Sequence, residues 1–361
     1  MKQGFIRIRP NDSNSLRFGR FEFVDGTETT PPDETLAALK RDRIAHRLIG
    51  NFAWSHVGRS LDGGQYVYNK PKTNLTMTAG RPTRGVFQVD GWGDLDIGLA
   101  SVALTKQLPL KKSAGEWRVF AIQYHDWRSV LKTDNRALPT RGNDRGNVRV
   151  TTFGGHYVHA FNTASAGKFD LLFWGALQTG RWGVLDHRAG SGVVEAGYQP
   201  PIRVLKPWFR AGYAYGSGDG DAGDGDHNTF FQILPTPRIY ARLPFYNMMN
   251  NEDAFGEVTV RPHQKVSIKG AVHWLRLAKR NDLWYQGGGA YQPWTFGYAG
   301  RPSNGNRSLA NVYDVGAEVQ ANANLAVGIY YADAEGKSVT SSIYPNGKHA
   351  RLGYVELRYR R

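Results

Sequence analysis

Strict alternation of apolar and polar residues is the clearest pattern in the C-terminal third of the chain. In residues 313–320 every second position is apolar, and the positions between them are polar residues or glycine. The alternation returns in 325–331, with small residues or tyrosine on the second face, and again in 353–360. A period of two predicts β-strands with two different faces. The spacer Asn322-Ala323-Asn324 predicts a hairpin turn between the first two strands.

Weaker copies of this pattern extend upstream through most of the chain. Alternation is clear in 257–261 and 265–274, which a short turn connects. It is less regular in 73–81, 147–152, 169–177 and 207–215. We count about 14 to 16 strands, many of them about 9 to 11 residues long, and a tilted strand of this length crosses a lipid bilayer.

The connections between these strands differ greatly in length. Those near 262–264 and 322–324 are short, whereas the loops near 217–250 and 281–310 are long and polar. Short turns that alternate with long loops are typical of bacterial outer-membrane barrels. The sequence therefore predicts an all-β protein, a transmembrane antiparallel β-barrel that occupies residues 1–361 as a single domain.

One segment departs from the strand pattern. Thr30-Pro31-Pro32-Asp33-Glu34 precedes several apolar residues, and prolines and acids are typical of the start of a helix. Four basic residues between positions 40 and 47 would then lie near the end of the helix, where positive charge is favourable. We expect a helix near 33–47, in a loop at one rim of the barrel.

The composition fits a barrel and excludes several other classes of protein. The 361 residues include 43 glycines, 17 Phe, 18 Tyr and 10 Trp, and hydrophobic residues make up only 40%. No apolar stretch approaches the roughly 20 residues that a membrane-spanning helix needs. Because the chain has no cysteine, disulfides, thiolate metal sites and cysteine nucleophiles are excluded.

The chain is strongly basic, with a formal net charge of +15. Counting along the strands places six cations on the polar face: Arg149, Arg210, Arg261, Lys265, Lys269 and Arg358. An arginine at the middle of the lipid face costs roughly 2 to 4 kcal/mol, so the polar face should be the inner one. We therefore expect a cationic lumen, which concentrates anions. Alternatively, these cations form ion pairs with Asp and Glu in a plugged interior.

The segment 234–247 combines three prolines with aromatic and basic residues. Proline is unsuited to the middle of a sheet, so this segment should be a structured loop. Arg238 and Arg242 would stand among aromatic side chains in it. We interpret the segment as a constriction or gate of the channel, and a simple surface loop is the alternative.

The segment 216–226 contains four carboxylates in a glycine-rich sequence: Asp219, Asp221, Asp224 and Asp226. Calcium takes oxygen ligands from flexible loops, although this spacing differs from that of an EF-hand. A structural calcium site is one interpretation, and a solvated flexible loop is the other. The chain shows no motif of a catalytic site, so we expect no enzymatic activity, no further cofactor and no nucleic-acid partner.

Four sequence segments together form a set of motifs that is specific enough to compare with known protein families. They are Leu16-Arg17-Phe18-Gly19-Arg20, Gly58-Arg59-Ser60-Leu61-Asp62-Gly63, the 216–226 loop followed by Thr229-Phe230-Phe231-Gln232, and the 234–247 segment. In these features the sequence resembles the alginate export family of bacterial outer-membrane β-barrels. The strands that follow extend the resemblance to the end of the chain.

The resemblance implies a monomeric barrel of about 18 strands in the outer membrane of a Gram-negative bacterium, with loops that act as gates. It also implies an arginine-rich conduit that passes an acidic polysaccharide outward. The motif arginines carried over to this conduit are Arg17, Arg20, Arg59, Arg238 and Arg242. The first residues show no secretory signal, so we expect a signal peptide and further strands to precede this sequence.

Three functions are compatible with these patterns. The first is passive, electrostatically selective export of an alginate-like polyuronate. Its partners would be the anionic polysaccharide, outer-membrane lipid and periplasmic export scaffold proteins. The second is an anion-selective porin for small acidic solutes. The third is a soluble β-sandwich that binds or cleaves acidic polysaccharide, which would not need an apolar outward face on strand after strand.

Overall fold

A computed structural model of the chain describes residues 1–359, except for positions 54, 56, 85, 88–90, 110, 164, 237–241 and 244. The strands are β1 (Gly4–Asn11), β2 (Asn14–Phe21), β3 (Leu61–Lys70), β4 (Thr73–Pro82), β5 (Ile97–Pro109), β6 (Ser113–Asp126), β7 (Val148–Thr163), β8 (Gly167–Trp182), β9 (Leu185–Gln199), β10 (Trp208–Gly216), β11 (Asp226–His227), β12 (Asn251–His263), β13 (Val266–Arg276), β14 (Leu283–Gln286), β15 (Ala299–Pro302), β16 (Ser308–Gln320), β17 (Leu325–Gly336) and β18 (His349–Tyr359). The helices are α1 (Glu34–Leu39), α2 (Leu138–Asn143) and α3 (Ser338–Ile343). Within these described ranges, no helix is long and apolar enough to cross a membrane.

Most of the strands form one continuous antiparallel meander. Its order is β1 to β10, followed by β12, β13, β16, β17 and β18. β11 joins the same sheet by pairing with β9, which gives sixteen strands, and β14 and β15 form a separate hairpin. The predicted antiparallel all-β fold of about 14 to 16 strands is therefore confirmed. In the part of the chain that the structure describes, β1 and β18 each pair with one neighbour only, so hydrogen bonds do not close the sheet between them.

The two ends of the sheet differ in the length of their connections. At one end, which we call the short-turn end, connections such as 71–72 and 264–265 are tight. At the other, the long-loop end, the connections include 22–60, 217–250 and 277–307. The hairpin of β8 and β9 is an exception at the long-loop end, because only two residues join these strands.

The outward face of the sheet is apolar across its middle. On β8, Phe173 and Leu177 are exposed, whereas Leu172 on the alternate positions is fully buried. Ile329 of β17 and Val355 of β18 are exposed in the same way. Large apolar side chains exposed on successive strands form a belt that suits lipid rather than water.

The chain itself fills one side of the lumen. Apolar residues of 21–49, 230–234 and 285–298 pack with inward side chains of β5 to β10 in one hydrophobic cluster. Phe231, for example, meets Tyr124 and Trp182 edge to face, at ring-centroid distances of 5.2 and 5.1 Å. We call this part of the barrel, from β5 to β10, the packed half.

Helix α1 lies inside the barrel. Asp33 Oδ1 accepts hydrogen bonds from the backbone N–H groups of Thr35 at 2.9 Å and Leu36 at 3.1 Å, which caps the start of the helix. The helix continues into a π-helical turn, Lys40–Ile44. The start of the helix lies at the short-turn rim that the sequence allows for, because Asp33 and Thr35 contact Lys168 and Gln199 at the ends of β8 and β9. The helix then turns its apolar face, with Leu36 and Leu39, into the lumen against the packed half.

Candidate functional site: a chamber in the lumen

A polar chamber of about 770 Å³ remains on the other side of the lumen. It is bordered by the π-helical turn Lys40–Ile44 and by inner faces of β10, β12, β13 and β16 to β18. Seven basic side chains line it: Arg41, Arg43, Arg210, Arg242, Arg261, Lys269 and Arg358. Five acidic side chains line it as well: Asp42, Glu257, Asp314, Glu318 and Glu356. We call β12, β13 and β16 to β18 the chamber half of the barrel.

The cations of the chamber lie towards the short-turn end. Arg261 belongs to the last residues of β12, and Lys269 to the first residues of β13, near the tight turn that joins them. Arg358 of β18 is at a similar level, because it pairs with Ala326 at the start of β17. The chamber therefore has its basic residues where a solute from the short-turn side would meet them.

Several of these charges are neutralised by partners. Lys269 Nζ contacts the Glu257 carboxylate, and Arg358 contacts Glu318. The interpretation of ion-paired cations thus holds for part of the chamber. Arg242 and Arg261 differ, because neither forms an ion pair with a described residue.

Two tyrosines hold Arg242 at the chamber wall. Its Nη1 donates to Tyr354 Oη at 3.0 Å, and its backbone N–H donates to Tyr330 Oη at 3.0 Å. The guanidinium carbon also lies 5.7 Å from the centroid of the Tyr330 ring, within the range of a cation–π interaction. Arg242 is therefore fixed in position without loss of its charge.

A buried network of charges separates the chamber from the packed half. Glu195 of β9 accepts hydrogen bonds from Arg43 Nε at 3.0 Å and from Arg210 Nη2 at 2.6 Å. Arg210 also contacts Asp170 of β8. Arg43 reaches Glu257 of β12 at 3.7 Å. The π-helical turn that carries Arg43 is thus tied to both halves of the barrel wall.

A second buried network holds the chain that precedes and follows α1. Arg118 of β6 contacts Asp25 at 2.5 Å and Glu28 at 2.6 Å. Lys40 reaches Glu116 of the same strand at 2.7 Å. Removal of one partner from such a pair leaves a buried charge uncompensated, which is strongly destabilising. The filling of the packed half is therefore fastened to the wall by charge as well as by apolar contact.

Arg17 and Arg20 do not line the chamber, although the resemblance implied a place in the conduit. Arg17 is half-buried, and its Nη2 donates to Gln65 Oε1 of the next strand at 2.9 Å. Arg20 pairs with Asp62, its direct neighbour across β2 and β3. Both side chains are engaged in contacts between adjacent strands.

Arg59 is a fixed support of the lumen filling rather than part of the chamber. It is buried, and its Nη1 donates to the backbone carbonyl oxygens of Gly50 at 3.0 Å and Leu234 at 2.6 Å. Burial lowers the pKa of Arg59 to about 10. Leu234 forms a parallel bridge with Ile49, and Thr236 Oγ1 accepts a hydrogen bond of 3.0 Å from the Phe52 N–H. The 234–247 segment therefore enters the lumen at its start instead of remaining on the surface.

The prediction that Arg149 faces the lumen is wrong. Arg149 is exposed on the outer face of β7, in the same alternation as exposed Phe153. Val148 and Val150, on the other face, are buried against the packed interior. Where the lumen is filled with apolar side chains, an apolar face no longer identifies the lipid side of a strand.

Of the predicted pathway residues, the chamber contains Arg210, Arg242 and Lys269. Lys265 lies in an exposed turn at the short-turn end, where its Nζ donates to a backbone carbonyl of the neighbouring turn at 3.3 Å. Arg238 lies outside the described residues.

The four aspartates of the 216–226 loop do not converge on one point. Asp219 Oδ1 accepts a hydrogen bond of 3.1 Å from the Asp221 N–H, and Asp221 Oδ1 accepts one of 2.9 Å from the Gly223 N–H. Asp224 accepts from the Asp226 N–H in the same manner. The carboxylates of Asp219, Asp221 and Asp224 thus each stabilise their own turn. Among the described residues, no group of three or more His, Asp or Glu is arranged to hold a metal ion, so the structure lends the calcium interpretation no support.

Asp219 has a second carboxylate near it, from a distant part of the chain. Its backbone N–H donates to Asp282 Oδ2 at 2.9 Å, and Thr229 Oγ1 donates to the same oxygen at 2.6 Å. Burial raises the pKa of both Asp219 and Asp282 to about 6. These carboxylates therefore join the 217–250 and 277–307 connections above the lumen.

The sequence interpretation did not single out the acidic members of the chamber. Asp314, Glu318 and Glu356 occupy polar positions of alternating strands, so the period of two contained a signal for them. Tyr330 and Tyr354 occupy the same inner face. Alternation shows that a residue faces inward, but it does not show which inward residues meet across the lumen.

The meander, the apolar outer belt and the polar chamber together define an outer-membrane β-barrel channel. The model of the alginate export family matches residues 12–334, and the chain belongs to this family. It is a protein of the outer membrane of a Gram-negative bacterium, and a channel rather than an enzyme.

Solved structures agree with this assignment at the level of the fold. The chain is similar to OccK11 (OpdR) of Pseudomonas aeruginosa, with a TM-score of 0.52 and 11% identity over 96% of this chain and 78% of that one. It is also similar to the outer membrane protein OprD of Pseudomonas aeruginosa, with a TM-score of 0.52 and 8% identity over 95% and 75% of the two chains. No curated protein sequence matches the chain.

Proposed function

We propose that this channel passes an acidic polysaccharide, such as an alginate-like polyuronate, outward through the chamber half of the barrel. The observation that carries the proposal is the chamber, in which seven basic side chains surround a space of about 770 Å³. Low-dielectric walls focus the field of such charges and raise the local concentration of anions by about tenfold or more. Membership of the alginate export family supports a polysaccharide as the solute.

Arg242 and Arg261 are the residues that we expect to contact the carboxylate groups of the polymer. Neither forms a direct ion pair with a described residue, and Glu318 and Glu356 act on Arg242 only through the electrostatic field, so both guanidinium groups can contact a carboxylate of the solute. Lys269 and Arg358 already contact Glu257 and Glu318, and a carboxylate of the polymer competes with these acids. Mixed charge of this kind keeps binding weak enough for the solute to move on, as conduction requires.

The 234–247 segment is the part that we expect to regulate passage. Its start is bound to the lumen filling through Leu234 and Thr236, and Arg242 is bound to the barrel wall through Tyr330 and Tyr354. The described residues of the segment therefore contact the packed half at 234–236 and the chamber half at Arg242. A shift of this segment would change the width of the path between them.

Conductance in planar bilayers tests the proposal. The wild-type channel should prefer anions, and alginate oligomers added on the short-turn side should block it. In the double variant Arg242→Gln/Arg261→Gln, the blocking concentration should rise about tenfold, and the preference for anions should weaken. Cation selectivity of the wild type would contradict the proposal.

A matched control removes two charges at the same end of the barrel but outside the chamber. Lys111 and Lys112 are exposed in the turn between β5 and β6, on the opposite wall. Lys111→Gln/Lys112→Gln should leave both selectivity and block unchanged. Equal effects of the two double variants would mean that general surface charge, and not the chamber, attracts the polymer.

A porin for small acidic solutes is the second candidate function. The size of the chamber favours it, because cavities of about 300 to 1,000 Å³ are typical binding sites for small molecules. Liposome swelling distinguishes the two functions. Rapid uptake of monomeric uronates, with no block of conductance by the polymer, would favour the porin.

A further inference from the structure

A row of charged and polar residues crosses the outer face of the packed half, near the long-loop end. Strand pairing places His125 of β6 opposite Arg149 of β7, and Arg149 opposite Arg181 of β8. Arg181 is opposite Asp186 of β9 and forms an exposed ion pair of 2.9 Å with it. Arg188 follows on the same face of β9. Adjacent strands are about 4.8 Å apart, so these residues form one patch, which we call the outer arginine row.

The outer arginine row has more positive charge than its neighbours neutralise. Arg149 and Arg181 stand directly opposite each other, and like charges in this position destabilise a sheet. Asp186 compensates Arg181, whereas Arg149 and Arg188 form no ion pair with a described residue. An anion bound between these arginines would remove the repulsion.

The row lies at the level of the lipid headgroups. The outward positions of β7 from Phe153 to Phe161 are aromatic rings or glycine, with His159 near the short-turn border, and they span about 20 Å for a tilted strand. At the short-turn border Phe161 stacks on Phe169 with a centroid distance of 5.5 Å. At the other border Thr151 and then Arg149 follow Phe153, so Arg149 stands about 10 Å beyond the apolar band, where an arginine costs little. Long loops of such barrels are extracellular, which places the row in the outer leaflet.

A shallow, open apolar groove lies on the same outer face, closer to the middle of the membrane. Gly155, Gly175 and Gly192 form its floor, because they stand side by side on β7, β8 and β9. Phe173 and Tyr213 are among the large side chains at its edges. A groove of this kind on a surface that faces lipid has the shape and polarity of a binding site for an acyl chain.

We propose that the outer arginine row and this groove together bind one phosphorylated lipid of the outer leaflet. The phosphate accepts charge-assisted hydrogen bonds from Arg149 and Arg181. An acyl chain of the same molecule lies over the glycine floor, in contact with the aromatic edges. Free phosphate could occupy only the row, and an uncharged lipid only the groove. The site is on the outside of the barrel, so it does not depend on what the lumen carries.

Native mass spectrometry of the detergent-solubilised, delipidated protein tests the headgroup part of the site. The probe is diphosphoryl lipid A, with phosphatidylcholine as the lipid of no net charge. We expect tight binding of lipid A to the wild type, weak binding of phosphatidylcholine, and no displacement of lipid A by millimolar inorganic phosphate. Arg149→Gln/Arg181→Gln should weaken the binding of lipid A by at least about tenfold.

The matched control removes two exposed arginines at the long-loop end of the chamber half. Arg280 and Arg301 are exposed in the 277–307 connection between β13 and β16, and neither belongs to the strands that carry the row. Arg280→Gln/Arg301→Gln should bind lipid A as the wild type does. Undiminished binding by Arg149→Gln/Arg181→Gln, or release of lipid A by inorganic phosphate, would overturn the proposal.

A substitution in the floor tests the acyl part separately. A Cβ atom at Gly175 would meet its nearest neighbour, Ser191 O, at 3.6 Å, so a side chain can be added there without a clash. Gly175→Leu fills the groove and should weaken the binding of lipid A several-fold. Gly270 is on the outer face of β13, where a Cβ would also be free, and Gly270→Leu should have no effect. Wild-type binding by Gly175→Leu would show that the groove does not hold the lipid.

Discussion

The packed half and the chamber half share one sheet and one kind of outer face, yet their inner faces are opposite in character. In the packed half, inward positions such as Leu172 and Val150 are apolar and fully buried against chain that folds into the lumen. In the chamber half, inward positions such as Lys269 and Glu318 are charged and border a polar space. The polarity of the outer face is set by lipid alone, whereas the polarity of the inner face is set by what fills the barrel at that point.

The largest effect should come from removing the ion pairs that hold the chain inside the lumen against the wall of the packed half. Arg118→Met leaves Asp25 and Glu28 buried without their partner, which should destabilise the protein by about 3 to 5 kcal/mol. Thermal unfolding in detergent, followed by tryptophan fluorescence, measures the loss. Conductance should increase as the 22–33 stretch leaves the wall.

The corresponding change in the chamber half should be small. Lys269 is partly exposed, and Glu257 retains Arg43 when Lys269 is removed. Lys269→Met should therefore cost less than about 1 kcal/mol. If the two variants lost stability equally, the distinction between a packed half and a solvated half would be incorrect.

Substitutions of inward glycines provide a second test of the difference between the two halves, and their effect on stability should be intermediate. A Cβ atom at Gly154 of the packed half would lie 2.5 Å from Gly175 O and 2.5 Å from the Phe120 ring, so Gly154→Ala should cost about 1 to 3 kcal/mol. A Cβ at Gly316 of the chamber half meets nothing closer than 3.6 Å, so Gly316→Ala should be neutral. Chemical denaturation of the two refolded variants compares them. Gly316→Phe should, in addition, reduce conductance without loss of stability, and unchanged conductance would mean that Gly316 does not border the path.

The smallest effect should be a pH response of the connections above the two halves. Burial raises the pKa of Asp219 and Asp282 to about 6 when folded, above the ordinary value of 3.8. The folded loops therefore bind protons more tightly than unfolded loops, and their stability should increase as the pH falls from 7.5 to 5. Amide hydrogen exchange in 217–232, corrected for the intrinsic effect of pH, measures this change.

Two single substitutions in the loop identify the source of that response. Asp219→Asn removes one of the two titrating carboxylates and should weaken the dependence on pH. Asp224 stabilises a similar turn but is exposed, so Asp224→Asn should leave the dependence intact. A pH response that is the same in all three proteins would exclude Asp219 as its origin.

The sequence was sufficient for the approximate number of strands and for the faces of the most regular ones, because both depend on local alternation. Tyr313, Ile329 and Val355 are exposed to the outside as their positions predict. The same rule failed at Arg149, since the buried valines beside it face an apolar filling that comes from distant parts of the chain.

Which of the predicted basic residues line the chamber could not be determined from the sequence. The position of Arg59, for example, depends on the carbonyl groups of Gly50 and Leu234, which only the folded chain brings together. In the same way, Arg43 meets Glu195 across 152 residues of sequence. Contacts of this kind have no local signal in the sequence, so alternation indicates the inward basic residues but not the partners that neutralise them in the fold.

The two-residue connection between β8 and β9 has a consequence for the order in which the barrel assembles. β8 and β9 pair through fifteen residue pairs, and they are joined by Gly183 and Val184 alone. Closing so short a loop costs little chain entropy, and hairpins form within microseconds. The strands of this hairpin can therefore pair before long connections such as 22–60 and 217–250 have folded. Assembly by this route would begin at the wall of the packed half and end with the strands around the chamber, so the channel would acquire its path last.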